Sequence, residues 1–223
     1  MKVSIIIPTK NEEGNIKNIL ESVRNSGDEI LVVDGHSTDK TPEIVKNLGF
    51  KLILDNGLGK GDAVRCAIKE SSGDILVFID ADGSHDPWDI PKLIEPIKNG
   101  QGDLVIASRR KGGSDELYGD WNKFFREFGS NIITLLINHR FKTAITDSQN
   151  GFRAIRKTVA DKLDLKENIT TIEQEMLIKV LKNGYRVTEV PSHEYKRKFG
   201  QSIIKLSKVW WRYIYTCFKY LYF

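Results

Sequence analysis

Three carboxylates stand close together in the segment FIDADGSHDP, residues 78–87, directly after an apolar run. Asp80 and Asp82 are separated by the small residue Ala81, and Asp86 follows in the same loop. Neighbouring carboxylates repel one another and lose hydration together, so such a cluster is best tolerated where a positive group binds. Alternate residues at a strand end point to the same side, so Asp80 and Asp82 can reach one ion.

The ion that suits this pattern is Mg²⁺ or Mn²⁺, because both prefer hard oxygen ligands and bind carboxylates together with phosphate oxygens. An Asp-x-Asp triplet alone is a weak signal, since solvated acids in a turn have the same spacing. Its position at the end of an apolar strand favours the metal. The four histidines are scattered and show no zinc spacing, and the two cysteines are far apart, as is typical of small buried thiols.

Two common nucleotide-binding motifs are absent from the sequence. The Rossmann pattern Gly-x-Gly-x-x-Gly should follow the first strand, but residues 8–13 contain no glycine. The segment DNGLGKGDA, residues 55–63, is rich in glycine and matches neither that pattern nor a P-loop. It is either a glycine turn before a helix or a backbone that comes close to a ligand.

The elements that must position these residues alternate between apolar runs and helical patterns. The runs are rich in Ile, Leu and Val, as in strands buried on both faces, and they cover residues 3–7, 29–34, 51–54, 74–80 and 103–108. Helical spacing lies between the first four of these runs and recurs over residues 121–137 and 172–183, and a further strand is predicted over residues 185–191. This order predicts an α/β fold with a doubly wound, mostly parallel sheet and flanking helices.

Polar loops follow three of the predicted strands, at residues 8–13, 34–41 and 80–86. Ligands of doubly wound sheets bind outside the carboxyl ends of the strands. We therefore expect the three loops to form one site.

The motifs also carry a family resemblance. In chain order they read IIPTKNEEGNI, ILVVDGHSTDKT, GLGKGDAVRCAI, DILVFIDADGSHDP, LVIASRRKGG, DSQNGFRAIRK, EMLIKVLKNGYRVTEVP and KRKFGQS. The chain resembles the inverting family 2 glycosyltransferases with a GT-A fold, and within them the dolichyl-phosphate mannose synthases. The first four motifs are general to that family, and the later ones are more specific to polyprenyl-phosphate acceptors.

The resemblance implies a role for each matching position. It places the nucleoside diphosphate sugar, GDP-mannose or UDP-glucose, against Pro8, Thr9, Lys10, Asn11, Glu12, Asp34, Gly59, Lys60, Asp62, Asp80, Ala81 and Asp82. It implies that Mg²⁺ or Mn²⁺ binds Asp80, Asp82 and Ser84, and that the acceptor phosphate binds Arg109, Arg126, Arg197 and Ser202. The implied catalytic residues are Asp82, Asp147, Arg109 and Arg126. The sugar and acceptor side is shaped by Asp147, Gly151, Phe152 and Arg153, and Glu175 matches an acidic residue on a helix below the site.

Several positions depart from the pattern of the resembled family, among them the residues before Gly151, Ile203 where Lys is common, and three positions near the nucleotide and metal. Lys10 stands where an aromatic residue is common, Gly35 where a second Asp is common, and Ser84 where Gln is common. The first two positions contact the nucleotide in that family, so both GDP and UDP stay open as donors. Ser84 still offers one oxygen to a metal.

The nucleophile also follows from chemistry. A sugar hydroxyl needs a general base, whereas a phosphate monoester is already largely ionised near neutral pH, with a second pKa of about 6. Arginines then position the phosphate. The sequence offers many arginines and no evident base beyond the metal-binding acids and Asp147, which favours a phosphate acceptor.

The C-terminal segment, residues 203–223, has a pattern of its own. Residues 195–223 contain seven basic and no acidic residues, which leaves 34 − 7 = 27 basic against 30 acidic residues in the body. On a helix, one narrow polar stripe is formed by Lys205, Lys208, Arg212, Thr216 and Lys219, and aromatic and apolar residues cover the rest. Such a helix is typical of a membrane interface; the alternative is a helix docked on the body or in a dimer. No apolar window is long enough for a transmembrane helix.

We therefore predict a GT-A domain over residues 1–202 and an amphipathic membrane-interface helix over residues 203–223, on a protein peripheral to the cytoplasmic face of the membrane. The predicted reaction is metal-dependent transfer of a hexosyl group to dolichyl or polyprenyl phosphate, with mannose from GDP as the first donor and glucose from UDP as the second. The alternatives are a soluble sugar acceptor and a sugar-nucleotide-binding membrane adaptor without activity.

Three other classes fit less well. A pyrophosphorylase would need a glycine- and arginine-rich loop after the first strand, and a processive synthase would need Gln-x-x-Arg-Trp, and both are absent. The slightly acidic body argues against nucleic acid as a partner.

Overall fold

The computed structural model describes residues 1–115, 121–197, 199–200 and 206–222, with the backbone alone for residues 121–126 and 206–210. The strands in these ranges are β1 (Val3–Thr9), β2 (Glu29–Asp34), β3 (Lys51–Leu54), β4 (Ile75–Phe78), β5 (Leu104–Ser108), β6 (Arg153–Arg156) and β7 (Val187–Pro191). The helices are α1 (Ile16–Val23), α2 (Thr41–Asn47), α3 (Lys60–Glu70), α4 (Ile90–Lys98), α5 (Arg109–Gly112), α6 (Trp121–Phe141), α7 (Lys157–Ala160), α8 (Ile172–Lys182) and α9 (Leu206–Tyr222).

The seven strands of the described ranges form one sheet in the order β3-β2-β1-β4-β6-β5-β7. All neighbours pair in parallel except β6, which is antiparallel to both β4 and β5. The predicted fold class is confirmed: an α/β fold with a mostly parallel sheet between helices.

Four elements of this fold are absent from the sequence prediction: the four-residue helices α5 and α7, strand β6 and helix α4. Strand β6 has only four residues, and arginines stand at both of its ends, so it lacks the long apolar run of its neighbours. Helix α4 contains prolines at its start and inside it, which are typical of loops. Its buried Ile and Leu residues nevertheless follow helical spacing: Ile90, Leu93, Ile94 and Ile97.

The core has two layers, one on each face of the sheet. Ile6 of β1 packs into the layer formed by α3, α6, α8 and α9, while Ile5 and Ile7 pack into the layer formed by α1, α2 and α4. Successive side chains of a strand point to opposite faces, so a strand covered on both faces needs an unbroken apolar run. Charged side chains are excluded from such strands, so they lie at the strand ends.

The start of α3 comes very close to the segment before α8. A methyl carbon built at Gly61 would lie 2.2 Å from the backbone oxygen of Glu167, and the Gly61 N–H donates to the oxygen of Asn168 at 2.8 Å. Only glycine permits this approach.

We expect Gly61→Ala to lower the free energy of unfolding by about 2 kcal/mol, because backbone must move to admit the methyl group. Gly129→Ala is the matched control, since nothing lies within 4 Å of the added carbon in α6. The control should be neutral or gain up to about 1 kcal/mol from helix propensity. Urea unfolding followed by circular dichroism measures both; equal stability of Gly61→Ala and wild type would contradict the close approach.

Candidate active site

The loops after β1, β2 and β4 meet at one edge of the sheet, because β1 lies between β2 and β4 and all three run parallel. The first two loops are bonded to each other. The Asn11 N–H donates to Oγ of Ser37 at 2.8 Å, and Asn11 Oδ1 accepts from the Thr38 N–H at 2.8 Å. These bonds fix the predicted nucleotide-binding residues 8–12 against the loop that carries Asp34.

Two of the predicted nucleotide-binding residues, Asp34 and Thr9, have buried polar side chains. The Asp34 carboxylate is buried and accepts from the N–H and the hydroxyl of Ser37 at 2.9 and 2.5 Å. Thr9 is also buried, and its Oγ1 has no hydrogen-bond partner among the described residues. A buried hydroxyl without a partner is uncommon, so the predicted contact of Thr9 with the nucleotide would satisfy it. Lys10 is exposed, and Pro8 lines a small pocket together with Lys60 and Asp80.

The glycine loop before α3 is held by Asp62. Gly59 has a φ of 116°, a backbone conformation that favours glycine. Asp62 is buried, accepts from the Asn56 N–H at 2.7 Å and pairs with Arg65 at 2.9 Å. The described contacts of Asp62 thus brace the loop, whereas those of Lys60 reach the carboxylates after β4.

Lys60 lies between two carboxylates. Its Nζ is 2.7 Å from Oδ1 of Asp80 and 2.9 Å from Oε1 of Glu173. A side-chain carbon built at Gly151 would lie 2.7 Å from the same Nζ, so glycine there leaves room for the ammonium. Burial alone would lower the pKa of Lys60 and raise that of Asp80, but their pairing holds the pKa of Lys60 above and that of Asp80 below its ordinary value.

Asp82 has partners on both of its carboxylate oxygens. Oδ1 accepts from the N–H and the hydroxyl of Ser84 at 3.0 and 2.7 Å. Oδ2 accepts from Nη2 of Arg197 at 2.8 Å, and Nη1 of the same guanidinium donates to Glu12 at 3.0 Å. An arginine predicted to bind the acceptor phosphate therefore contacts a carboxylate predicted to bind the metal. Ala81, between the two Asp residues, is buried.

Arg109 donates three hydrogen bonds to Asp147, from Nε at 2.6 Å, from Nη2 at 2.9 Å and from its backbone N–H at 3.2 Å. Its Nη1 is 3.3 Å from Glu194. Burial alone would raise the pKa of Asp147, but the guanidinium of Arg109 holds it below its usual value. Asp147 is therefore ionised and engaged, and it anchors Arg109. The Arg126 side chain and Ser202 lie outside the described residues, so their roles stay predictions.

Each of these three cations lies between two carboxylates: Lys60 between Asp80 and Glu173, Arg197 between Glu12 and Asp82, and Arg109 between Asp147 and Glu194. With all groups ionised, the nine side chains sum to 3 − 6 = −3. Burial raises the pKa of Glu12 above its ordinary value, against the opposing effects of Asn15 and Arg197. Such a surplus of negative charge attracts a divalent cation.

The oxygens present fit a cation that is shared with a ligand. Among the described residues, no group of three or more His, Cys, Asp or Glu side chains is placed to hold a metal. Mg²⁺ typically takes one or two carboxylates and completes its shell with water and substrate phosphates. Asp82 and Ser84 suit that role. Asp80 bonds to Lys60 in this structure, so its predicted contact with the metal stays a prediction.

Three residues of the site are absent from the sequence prediction: Glu173 and His85, which are buried, and Glu194, which is half-buried. His85 stacks on Phe152 with ring centroids 5.1 Å apart, and its Nε2 is 3.9 Å from Asp80. Glu173 stands two positions before the predicted Glu175, in the first turn of α8. Glu175 instead accepts from the Lys166 and Glu167 N–H groups at 2.9 and 2.7 Å and braces that segment.

Arg153 supports the site from below. It is fully buried, and its guanidinium donates to the backbone oxygens of Asn150 and Glu173. Burial lowers the pKa of Arg153 to about 10. Its predicted part in shaping the sugar side is therefore indirect, through the loop of Asn150 and the start of α8.

Helix α9 packs on α8 and α6, so it docks on the body. Cys217, Tyr220 and Leu221 are buried there, Thr216 is buried as well, and Lys219 pairs with Glu167 at 3.0 Å. The expected polar stripe is therefore partly turned inward. The outward residues, which we call the aromatic face, are Trp211, Ile214, Tyr215, Phe218 and Tyr222. Within the ranges described, no helix is long and apolar enough to cross a membrane.

Comparison with known proteins identifies the class first. Glucosyl-3-phosphoglycerate synthase from Mycobacterium tuberculosis, solved with Mn²⁺, UDP and glucosyl-3-phosphoglycerate, matches with a TM-score of 0.77 over 99% of this chain and 80% of that chain. The sequence identity of that pair is 22%, which supports the fold alone. The fold is that of the GT-A glycosyltransferases.

The sequence then gives the family. Residues 4–164 match the family model Glycosyl transferase family 2, and the chain belongs to that family. It is 36% identical to the dolichol-phosphate mannosyltransferase of Pyrococcus furiosus, over 99% of this chain and 64% of the relative. It is 32% identical to the UDP-N-acetylglucosamine–dolichyl-phosphate N-acetylglucosaminyltransferase of Methanococcus voltae, over 94% of both chains. The chain thus spans less than two thirds of the Pyrococcus relative and most of the Methanococcus one. The resemblance inferred from the motifs is confirmed.

We expect Asp147→Asn to lower the free energy of unfolding by about 3 kcal/mol near neutral pH, because it removes the buried main counter-ion of the half-buried Arg109. The pKa of Asp147 is lower in the folded than in the unfolded protein, so its contribution is complete above the unfolded value of about 4. That contribution is lost as pH falls through the lower folded value, so wild type and variant should converge in acid.

Urea unfolding at a series of pH values measures this convergence. Asp161→Asn is the control, since Asp161 forms an exposed pair with Lys157 at 2.6 Å and should contribute less than about 1 kcal/mol. A deficit of Asp147→Asn that does not change between neutral and strongly acidic pH would show that the charge pair is not its cause.

Proposed function

We propose that the protein transfers a hexosyl group, with inversion, from a nucleoside diphosphate sugar to dolichyl or polyprenyl phosphate. The observation that carries the proposal is the contact of Arg197 with Asp82 at 2.8 Å. This contact places an arginine, a residue type that binds phosphate, beside the carboxylate predicted to bind the metal of the donor diphosphate. The names of the Pyrococcus and Methanococcus relatives, both of which specify dolichol or dolichyl phosphate, support the same acceptor.

The loops after β1 and β2 bind and orient the nucleotide through residues 8–12 and Asp34. Asp82 and Ser84 hold Mg²⁺ or Mn²⁺, which when bound neutralises the charge that grows on the leaving diphosphate. Arg109 and Arg197, together with Arg126, orient the acceptor phosphate for in-line attack, since guanidinium groups match phosphate oxygens in pairs.

The state of Asp147 supports a phosphate rather than a hydroxyl as nucleophile. A hydroxyl needs a base that can accept its proton, but both oxygens of Asp147 are engaged by Arg109 and its pKa is lowered. A phosphate monoester needs no such base, because it is largely ionised near neutral pH. The role of Asp147 is then to position Arg109.

The first donor to test is GDP-mannose and the second is UDP-glucose. With Mn²⁺ and dolichyl phosphate, we expect radiolabel from one donor to move into an organic extract. Asp82→Ala should lower that transfer about a hundredfold or more, because charge stabilisation of the leaving group is lost, while Asp161→Asn should retain it. Full activity of Asp82→Ala would exclude Asp82 as a metal ligand. Slow donor hydrolysis without labelled lipid would indicate a soluble sugar as the acceptor. The absence of both labelled lipid and hydrolysis would favour a binding protein without activity.

We also propose that the aromatic face of α9 rests on the cytoplasmic side of the membrane. Trp and Tyr favour the interface between lipid and water, and the basic residues of the C-terminal segment add attraction to anionic lipid. The neighbouring α6 also has exposed apolar residues: Phe128, Ile132 and Leu135.

Replacing Trp211 and Phe218 together by Ser should lower binding to anionic vesicles about tenfold, because two interfacial aromatic side chains are lost. The control is Leu54→Ser, which removes an exposed apolar residue of β3 and should leave binding unchanged. Co-sedimentation measures both variants. Equal loss in variant and control, or no loss in either, would place the membrane contact elsewhere.

A further inference from the structure

Arg197 occupies the oxygen of Asp82 that a metal would need. Oδ1 of Asp82 already accepts two hydrogen bonds from Ser84, at 3.0 and 2.7 Å, and Oδ2 accepts from Arg197 at 2.8 Å. The other arm of the guanidinium is 3.0 Å from Glu12. Arg197 therefore spans the loop after β1 and the loop after β4.

The segment that carries Arg197 is fastened to the same two loops. The Tyr195 N–H donates to the backbone oxygen of Ser84 at 2.8 Å. On the other side, the backbone oxygen of Phe199 accepts from Nδ2 of Asn15 at 3.2 Å. These bonds hold the backbone on both sides of Arg197, so the bridge is part of the fold of the free protein and not a chance contact of a long side chain.

We propose that Arg197 closes the metal site in the free protein and passes to the acceptor phosphate when the metal and donor bind. A divalent cation competes for Oδ2 of Asp82 with a larger charge than the guanidinium has. Once displaced, Arg197 has lost one of its two carboxylates, and its Nη2 would be open to a phosphate. This inference rests on the proposed function and adds to it an order of binding, with the acceptor phosphate after the donor.

The order follows from the geometry of one side chain. Glu12 and Asp82 engage Nη1 and Nη2 of the guanidinium, so a phosphate that pairs with these two nitrogens has to compete with a carboxylate on each. Glu12 keeps Arg197 at the site after the exchange, because only the bond to Asp82 is given up. Glu12 is thus a positioning residue for Arg197, in addition to its predicted place beside the nucleotide.

Binding of Mn²⁺ tests the closed state without any acceptor. The paramagnetic resonance signal of free Mn²⁺ gives the Kd for wild type, Arg197→Gln, Arg197→Lys and Arg186→Gln. Arg186 is the control, since it is an exposed arginine just before β7, at the opposite end of the strands from the site. We expect both Arg197 variants to bind Mn²⁺ about fivefold more tightly than wild type, as for loss of one competing ion pair.

Arg197→Lys separates a bridge from a general charge effect. It keeps the positive charge, but a single ammonium cannot reproduce the planar fork that spans two carboxylates. Tighter Mn²⁺ binding by Arg197→Gln alone would mean that only net charge matters, and it would overturn the proposal. Unchanged binding in both Arg197 variants would overturn it as well.

Binding of farnesyl phosphate, a short prenyl phosphate, tests the order. Equilibrium dialysis compares protein alone with protein that holds Mn²⁺ and GDP or UDP. We expect binding to wild type to tighten about tenfold with Mn²⁺ and nucleotide, and this gain to disappear in Arg197→Gln. Equal binding with and without Mn²⁺ and nucleotide would overturn the order. Failure of farnesyl phosphate to bind in every condition would contradict the proposed acceptor, while the Mn²⁺ experiment would still decide whether Arg197 closes the metal site.

Discussion

Ionised side chains at the carboxyl edge of the sheet can remain partly buried only if they are paired, and this requirement determines the shape of the site. An isolated buried charge costs several kcal/mol, of the order that a whole domain has available. The cations that meet the carboxylates come from separate parts of the chain: Lys60 from the start of α3, Arg109 after β5 and Arg197 after β7. Their ion pairs therefore join segments that the sheet alone would leave as independent loops.

The same requirement explains why these pairs are suited to exchange. Each cation has two carboxylates, so it can release one and stay bound to the other. A ligand with phosphate groups and a divalent cation brings both signs of charge at once, and can replace a released partner on each side. The network is thus stable without ligand and still open to one, whereas a single strong pair would have to break completely.

Much of this architecture is visible in local sequence. The unbroken apolar runs of β1, β2 and β4 indicate strands covered on both faces, and the polar residues directly after them indicate where a ligand binds. Strand β6 is not predictable in this way, because its four residues, which begin with Arg153 and end with Arg156, are too few to show a periodic pattern. Its antiparallel place between β4 and β5 is set by tertiary pairing, with Arg153 opposite Phe78 and Ile106.

The counter-ions of the site are harder to foresee than its motifs. Arg197 meets Asp82 across 115 positions of sequence, and Arg109 meets Glu194 across 85. No local spacing encodes such pairs, and glutamates such as Glu173 and Glu194 are common on any solvated surface. Asp62 shows the opposite case, since its motif suggests a ligand contact while its hydrogen bonds brace the chain beside it. A motif identifies which residues belong to a site, but the fold decides which of them face the ligand and which hold the others in place.

The C-terminal helix shows how a correct pattern can be oriented in two ways. Its aromatic residues outnumber its cations, so every face of the helix other than the one polar stripe is apolar. The body covers one of these faces with Cys217, Tyr220 and Leu221, and it draws Lys219 inward to Glu167. The remaining aromatic face has no cover among the described residues, and a contiguous exposed apolar surface of this kind is uncommon on proteins that have no partner there. Docking on the body and contact with a membrane are therefore compatible, because they use different faces of α9.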